Sequence, residues 1–320
     1  MKMIIAAVGF LLAATAGAQE LKFGDLNYFL KQGQFSLTAD MNHGTYRFKT
    51  SPVGANTPSV TKQSEGYYLT TKYSYALTNR FNLFLGLNYQ YDVINKVVGS
   101  NAERFNQDGL NNPILGANFR LFNQETKGVN LDFGAVARIG IESAEVGTVG
   151  AVKGSKDGNA ANGRNSLELN TRAGTKWNEA NEWFVTAGII YNKAGDYKIH
   201  TPNNGVNRDV DVESSWDSFV SAAYQYRPVN EFMMALSLTA NRVDKIDSTE
   251  TNSNSSMDEN AHFDYEFAFN AKYLICENFI AKFNYGQSLL SDYDVEILGT
   301  ETEIQNRHRR SFGLGVDFLF

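Results

Sequence analysis

After its first eighteen residues, the chain has no apolar run approaching the roughly 20 residues that a membrane-spanning helix needs. Cysteine is nearly missing. Cys276 stands alone, so no internal disulfide can form, and one Cys with scattered His does not make a transition-metal site. A basic excess is also lacking: the net charge of -6 and a pI near 5.4 argue against nucleic acid as a partner. Proline is scarce, at five, whereas Phe (22), Tyr (16) and Gly (27) are plentiful, a balance that suits many strands rather than many helices.

Catalytic motifs are missing too. There is no G-x-S-x-G elbow and no H-E-x-x-H helix. The acidic stretch 244–260, "DKIDSTETNSNSSMDEN", lacks the central Gly and terminal Glu of a calcium loop and reads as a solvated, mobile connection. Residues 151–164 contain GxxxxG spacings without the strand and helix of a phosphate-binding loop. One arrangement keeps a catalytic alternative open: His262 stands beside Asp264 and Glu266 on one strand face, and an Asp–His pair can activate water. No cofactor or metal ligand set is expected.

What is present begins at the N-terminus. Lys2, the apolar "MIIAAVGFLLAAT" and the small residues Ala16, Gly17 and Ala18 make residues 1–18 an expected signal peptide, cut before Gln19. No Cys follows the cut, which argues against a lipoprotein. Residues 19–34, "QELKFGDLNYFLKQGQ", are expected to be either a plug inside a lumen or a periplasmic segment.

From residue 35 to 320 the chain alternates apolar and polar residues in hairpin after hairpin. "GYYLTTKYSYAL" turns at "TNR" into "FNLFLGLNYQYDV", and "PILGANFRLF" turns at "NQETKG" into "VNLDFGAVARIGI". "SLELNTRAGTKW" turns into "WFVTAGIIY", "VDVESSWDSFVSAAYQYR" into "FMMALSLTANR", and "HFDYEFAFNAKYLI" into "FIAKFNYGQSL". With "QFSLTADMNHGTY" and the C-terminal strand this predicts about twelve strands, short and long connections alternating.

Three features separate this pattern from a soluble sandwich. The strands are long, and their polar faces are rich in ionisable groups. Aromatic residues also flank an aliphatic middle. Phe81, Phe119, Trp177, Trp183, Tyr226, Phe279 and Phe318 sit near short turns; Tyr67, Tyr91, Tyr191, Trp216, Tyr265 and Tyr285 sit near long loops. Two aromatic rings around an aliphatic belt fit a bilayer, where only helices and closed barrels satisfy every backbone polar group. The expected fold is all-β: a transmembrane, antiparallel, up-and-down β-barrel with both termini periplasmic.

Parity assigns Lys72, Asp92, Arg120, Asp132, Arg138, Glu168, Arg172, Asp217, Glu266, Lys272, Lys282, Arg307 and Arg309 to the lumen, with Asp40 among them. A register with Leu121 opposite Val129 sets Arg120 diagonal to Asp132. Because the signs are mixed, these charges read as a salt-bridge lattice ahead of a selectivity ring. The final "RRSFGLGVDFLF" closes the barrel, and His308 and Arg310 continue its outward face. Gly315, Phe318 and Phe320 resemble the C-terminal assembly signal of bacterial outer-membrane proteins.

"DGLNNPILGANFRLF" (108–122), with Asp108, Gly109, Leu110, Leu115, Gly116 and Arg120, resembles the outer-membrane family named for the meta-pathway of phenol degradation. Asn112 stands where that family usually has Asp. The resemblance, over about residues 66–142, implies passage of small, often hydrophobic compounds as in fatty-acid-transporter barrels, and it transfers no site residues. The expected function is an outer-membrane channel or transporter for small solutes. Its expected partners are outer-membrane lipid, lipopolysaccharide and the assembly machinery. The alternatives are a phospholipase-like barrel enzyme and a closed barrel acting through its surface.

Overall fold

A computed structural model describes residues 21–52, 60–98, 101–141, 144–149, 158–159, 164–200, 207–250, 255–297 and 300–320. The signal-peptide expectation for residues 1–18 lies outside them. The strands are, in chain order, β1 (Phe35–Pro52), β2 (Val60–Thr78), β3 (Phe81–Val98), β4 (Asn101–Leu110), β5 (Ile114–Phe122), β6 (Asn130–Arg138) and β7 (Ala144–Val149). There follow β8 (Gly158–Asn159), β9 (Ser166–Asn178), β10 (Asn181–Asn192), β11 (Gly195–His200), β12 (Asn207–Val212) and β13 (Ser215–Val229). The last are β14 (Phe232–Val243), β15 (Ile246–Glu250), β16 (Ser255–Glu259), β17 (His262–Cys276), β18 (Phe279–Leu290), β19 (Tyr293–Ile297) and β20 (Thr300–Leu319).

Twelve of them form a closed wall. The antiparallel pairing runs β1–β2–β3–β5–β6–β9–β10–β13–β14–β17–β18–β20 and returns to β1. The closing seam extends to the end of the chain: Phe35 and Phe320 exchange both backbone hydrogen bonds, at 3.0 and 2.8 Å. Closure leaves no sheet edge, as a hydrocarbon surround requires.

The long connections depart from expectation. Instead of remaining irregular, they supply eight further strands that stack on the wall as a collar. The upper half of β3 pairs with β4, which pairs with β7. From there the ladder continues β7–β11–β12–β15–β16–β19–β20. The stretch 244–260, read as a solvated loop, contributes β15 and β16, with residues 251–254 outside the described part. Polar composition did not prevent pairing, because each protruding hairpin finds a neighbouring edge to saturate its backbone.

The "NQETKG" turn also differs. It holds one helical turn, α1 (Gln124–Lys127), with the Asn123 side chain accepting from the Glu125 N–H and Gly128 closing it at φ 74°. This turn and a bulge between Arg120 and Phe122 shift the hairpin, so Arg120 lies directly opposite Asp132 and not diagonal to it.

The outward face carries the apolar residues. Leu314 is 69 % exposed, Leu238 64 % and Met41 58 %, exposures that a water-soluble fold would not tolerate as a continuous band. From Phe35 to His43 the outward residues of β1 span roughly 20 Å of height for a strand tilted near 40°, close to the apolar band of membrane barrels. Rings cluster at both borders of this band. Phe279 stacks on Phe318 at 4.5 Å near the short turns, and Tyr191 meets Trp216 at 4.9 Å near the long loops.

Candidate functional site

Residues 21–34 enter the barrel from the short-turn end and sit inside it, adding no strand to the wall. Inward polar side chains from five wall strands, β5, β9, β10, β13 and β17, hold the segment. The Asp25 side chain is fully buried, with Lys176 Nζ at 2.9 Å and an Arg227 guanidinium nitrogen at 2.5 Å. The Asn27 N–H donates to the Glu182 carboxylate at 3.1 Å, and its side-chain amide donates to the Trp183 carbonyl at 3.1 Å. Three cations donate to the segment's backbone: Arg120 to the Asn27 carbonyl (2.9 Å), Lys272 to the Gly24 carbonyl (3.1 Å), and Arg172 to the Leu26 carbonyl. Gly24, at φ +98°, lies against Met233 and Ile280, where a Cβ would come within 2.8 Å of the isoleucine. Glycine is therefore required there both by conformation and by space.

Above this segment the lumen charges pair with one another. Arg120 makes a two-pronged contact with Asp132 at 2.7 and 2.9 Å, and Arg138 reaches Glu168 at 3.1 Å. Lys282 bridges Asp40 (2.9 Å) and Asp317 (2.8 Å). Asp217 accepts from Asn192 at 2.7 Å and from the Asp244 N–H at 3.0 Å. Asp92 is buried, whereas Glu266 and Arg309 line a polar cavity of about 250 Å³ with Tyr68, Ser288 and Ser311. Gly315 faces inward opposite Asp40, and an added Cβ would lie 1.9 Å from an Asp40 carboxylate oxygen. Phe318 and Phe320 belong to the ring cluster at the short-turn border.

The predicted lumen residues are thus distributed over the height of the barrel rather than gathered at one level. Sequence parity missed the cluster nearest the short turns: Lys176, Glu182, Gln225 and Arg227. Each continues the inward parity of its strand, so extending the alternation to the strand ends identifies them. It also missed inward aromatics. Phe84 and Phe184 interrupt polar faces, and each carries a cation: Lys72 Nζ stands 4.2 Å from the Phe84 centroid, and the Arg172 guanidinium 3.9 Å from that of Phe184.

Those two pairs face a chamber of about 420 Å³ in mid-lumen, lined also by Phe23, Tyr28, Phe29, Asn118, Asn170, Thr186 and Asp132, whose carboxylate is bound by Arg120. A second cavity, of about 240 Å³, opens beside Asn79, Asn123 and Glu125 at the short turns. Tyr28, Phe29 and Leu30 line both. The N-terminal segment is the partition between chamber and mouth.

At the opposite rim, His262 is buried, with one ring nitrogen hydrogen-bonded and the other facing a carboxylate. Nδ1 is 3.1 Å from the Asn260 carbonyl and Nε2 is 3.6 Å from Asp264, while the ring stacks on Tyr293 at 4.3 Å. Arg307 ties Asp264 (3.1 Å) and the Tyr46 hydroxyl (3.2 Å) into this group. In the collar, burial pushes the Glu259 carboxyl and the Tyr293 phenol up from their ordinary ranges, the latter helped by the Glu259 charge. These contacts lock the β16–β19 collar to the wall. Among the described residues no group of three or more His, Cys, Asp or Glu is placed to hold a metal ion.

The stretch 108–122 forms the join of β4 to β5. Residues 111–113 bulge from the β3 ladder there, Gly109 takes φ 120°, and the buried Asn112 donates to the Arg164 carbonyl at 2.9 Å.

The fold is that of bacterial outer-membrane barrels. It is similar to an outer-membrane channel from Pseudomonas putida F1, with a TM-score of 0.56 and 11% identity over 94% of this chain and 100% of that one. It is also similar to the translocator domain of the autotransporter NalP from Neisseria meningitidis, with a TM-score of 0.52 and 11% identity over 92% and 90%. No family model matches the sequence, and no curated protein matches it.

Proposed function

We propose that the protein is an outer-membrane channel for small amphipathic solutes of negative charge, with the short turns and both termini periplasmic and the long-loop collar outside. Residues 1–18 are its cleaved signal peptide, residues 19–34 its plug and residues 35–320 its barrel. One observation carries the reading. A chamber walled by aromatic rings and two cations is separated from the mouth by a segment whose backbone pairs with the wall only at its end, where Gly33 and Gln34 meet Ala76, and whose remaining hydrogen bonds and ion pairs to the wall involve side chains. A ladder strand could not leave without opening the wall, but this segment can shift and leave the barrel closed.

The chamber suggests the solute class. Its rings would take an apolar body, and Lys72 and Arg172 would take a carboxylate or sulfonate. The outer-membrane channel of similar fold supports passage through a barrel of this architecture. A barrel enzyme is the weaker reading. His262 is buried, its Nδ1 is bound at the Asn260 carbonyl and its ring face is covered by Tyr293, an environment that suits a structural histidine.

Swelling of proteoliposomes in sodium benzenesulfonate, a permanently charged and membrane-impermeant probe, tests this. The expected result is swelling well above that of protein-free liposomes. Equal swelling with and without protein contradicts it.

A further inference from the structure

The outward face at the seam between β1 and β20 changes character with height. In the aliphatic band stand Met41 and Leu314, cross-strand partners exposed by 58 % and 69 %. Next come the belt rings, where His43 lies 5.1 Å from Phe312 and 4.9 Å from Tyr67. Directly above them the register pairs Thr45 with Arg310 and Arg47 with His308. Tyr46 and Arg309 between them point inward, the former bonded to Arg307, so Arg47, His308 and Arg310 all face out. Arg47 and Arg310 are diagonal neighbours in this ladder, about 7–8 Å apart, a spacing that long side chains bridge, so the two guanidiniums can reach one ligand.

These guanidiniums are exposed, and among the described residues neither has a carboxylate within ion-pairing distance. The nearest acid on the neighbouring strand, Glu65, is bound to His43 at 3.0 Å. Elsewhere at this level Arg242 also faces outward, but it is paired with Asp244 at 3.2 Å. Two unpaired guanidiniums one step above an aromatic belt sit where bilayer phosphates lie. The planar fork of arginine matches a phosphate two-pronged.

We infer that Arg47 and Arg310, with His308 beside them, form a binding site for the phosphate of a phosphorylated outer-leaflet glycolipid, whose acyl chains lie over Met41, Leu314 and the belt rings. The inference rests on the barrel lying in a membrane with its collar outside, and not on solute passage. Its failure is therefore distinguishable from failure of the swelling experiment.

The test is native mass spectrometry of the full-length barrel released from micelles containing bisphosphorylated lipid A and phosphatidylcholine in equal amounts. Folding is checked first by heat-modifiable gel mobility. Wild type is expected to keep a lipid A adduct, and R47Q/R310Q to lose it by about tenfold or more, as for removal of two charge-assisted contacts. The control R242Q should match wild type, and R47K/R310K, which keeps charge without the fork, should fall between. Equal retention by wild type and R47Q/R310Q overturns the inference, and so does equal retention of lipid A stripped of its phosphates. Displacement of the adduct by millimolar inorganic phosphate would show that the cluster holds free phosphate rather than the lipid, and overturns it as well.

Discussion

Asp25 and Lys176 lie 151 positions apart in the chain and 2.9 Å apart inside the barrel, and Arg227 closes on the same carboxylate. All three side chains are nearly or fully withdrawn from solvent. Removing one member of a buried ionic group leaves the others uncompensated, at a cost of roughly 3–5 kcal/mol. Asp25→Ala therefore releases the N-terminal segment by leaving buried Arg227 without its ion-pair partner and Lys176 with only the exposed Glu179, 3.9 Å away. Single-channel recording should show larger or more frequent openings than wild type, with the barrel still folded on unheated gels. Unchanged currents would mean that Asp25 does not hold the partition.

Arg120→Ala is expected to act on stability and not on selectivity. Arg120 is buried, grips Asp132 with both prongs and donates to the Asn27 carbonyl, so its charge is neutralised before any ion meets it. The unfolding temperature on heated gels should drop, and Arg120→Ala/Asp132→Ala should recover part of the loss, because no lone carboxylate is then left buried. A changed reversal potential with unchanged stability would assign Arg120 to a selectivity constriction.

Lys72→Gln separates chamber chemistry from scaffold. Lys72 has its ammonium over the Phe84 ring and no carboxylate in the described residues within ion-pairing distance. Its loss should lower benzenesulfonate entry several-fold, an attraction of about 1 kcal/mol, while arabinose entry stays unchanged. Equal loss for both probes would point to a distorted lumen instead.

Much of this architecture was legible in the sequence. Period-two alternation located the twelve wall strands, because a lipid-facing residue and a lumen-facing residue must alternate along every strand. The Arg120–Asp132 register was not legible, since a one-turn helix at Gln124–Lys127 absorbed residues that a plain hairpin would have used. The collar was invisible for another reason: its strands gain stability from neighbouring loops, and the apolar alternation they carry, as at Tyr293, Val295 and Ile297 of β19, is too brief to mark a strand. The plug contacts join Asn27 to Glu182 across 155 positions, which no local pattern encodes. Phe84 and Phe184 escaped notice because aromatic residues were assigned to lipid, whereas these two serve as platforms for cations.

Gly315→Ala probes the packing behind the C-terminal strand. The new methyl would meet an Asp40 oxygen at 1.9 Å and the Ala39 carbonyl at 2.8 Å, and Asp40 is pinned by Lys282 and Asn284. Overpacking of this kind costs about 1–3 kcal/mol. The variant should show a lower heat-modification midpoint even when refolded from purified chain without assembly factors. A normal midpoint with reduced membrane insertion in cells would assign Gly315 to assembly recognition rather than packing.

Planar-bilayer recording of the purified barrel with and without residues 21–34 tests the partition most directly. Stepwise currents from the full chain, enlarged when the segment is deleted, are the predicted result. Two folded proteins that both leave the bilayer silent, or that carry identical currents, would contradict it.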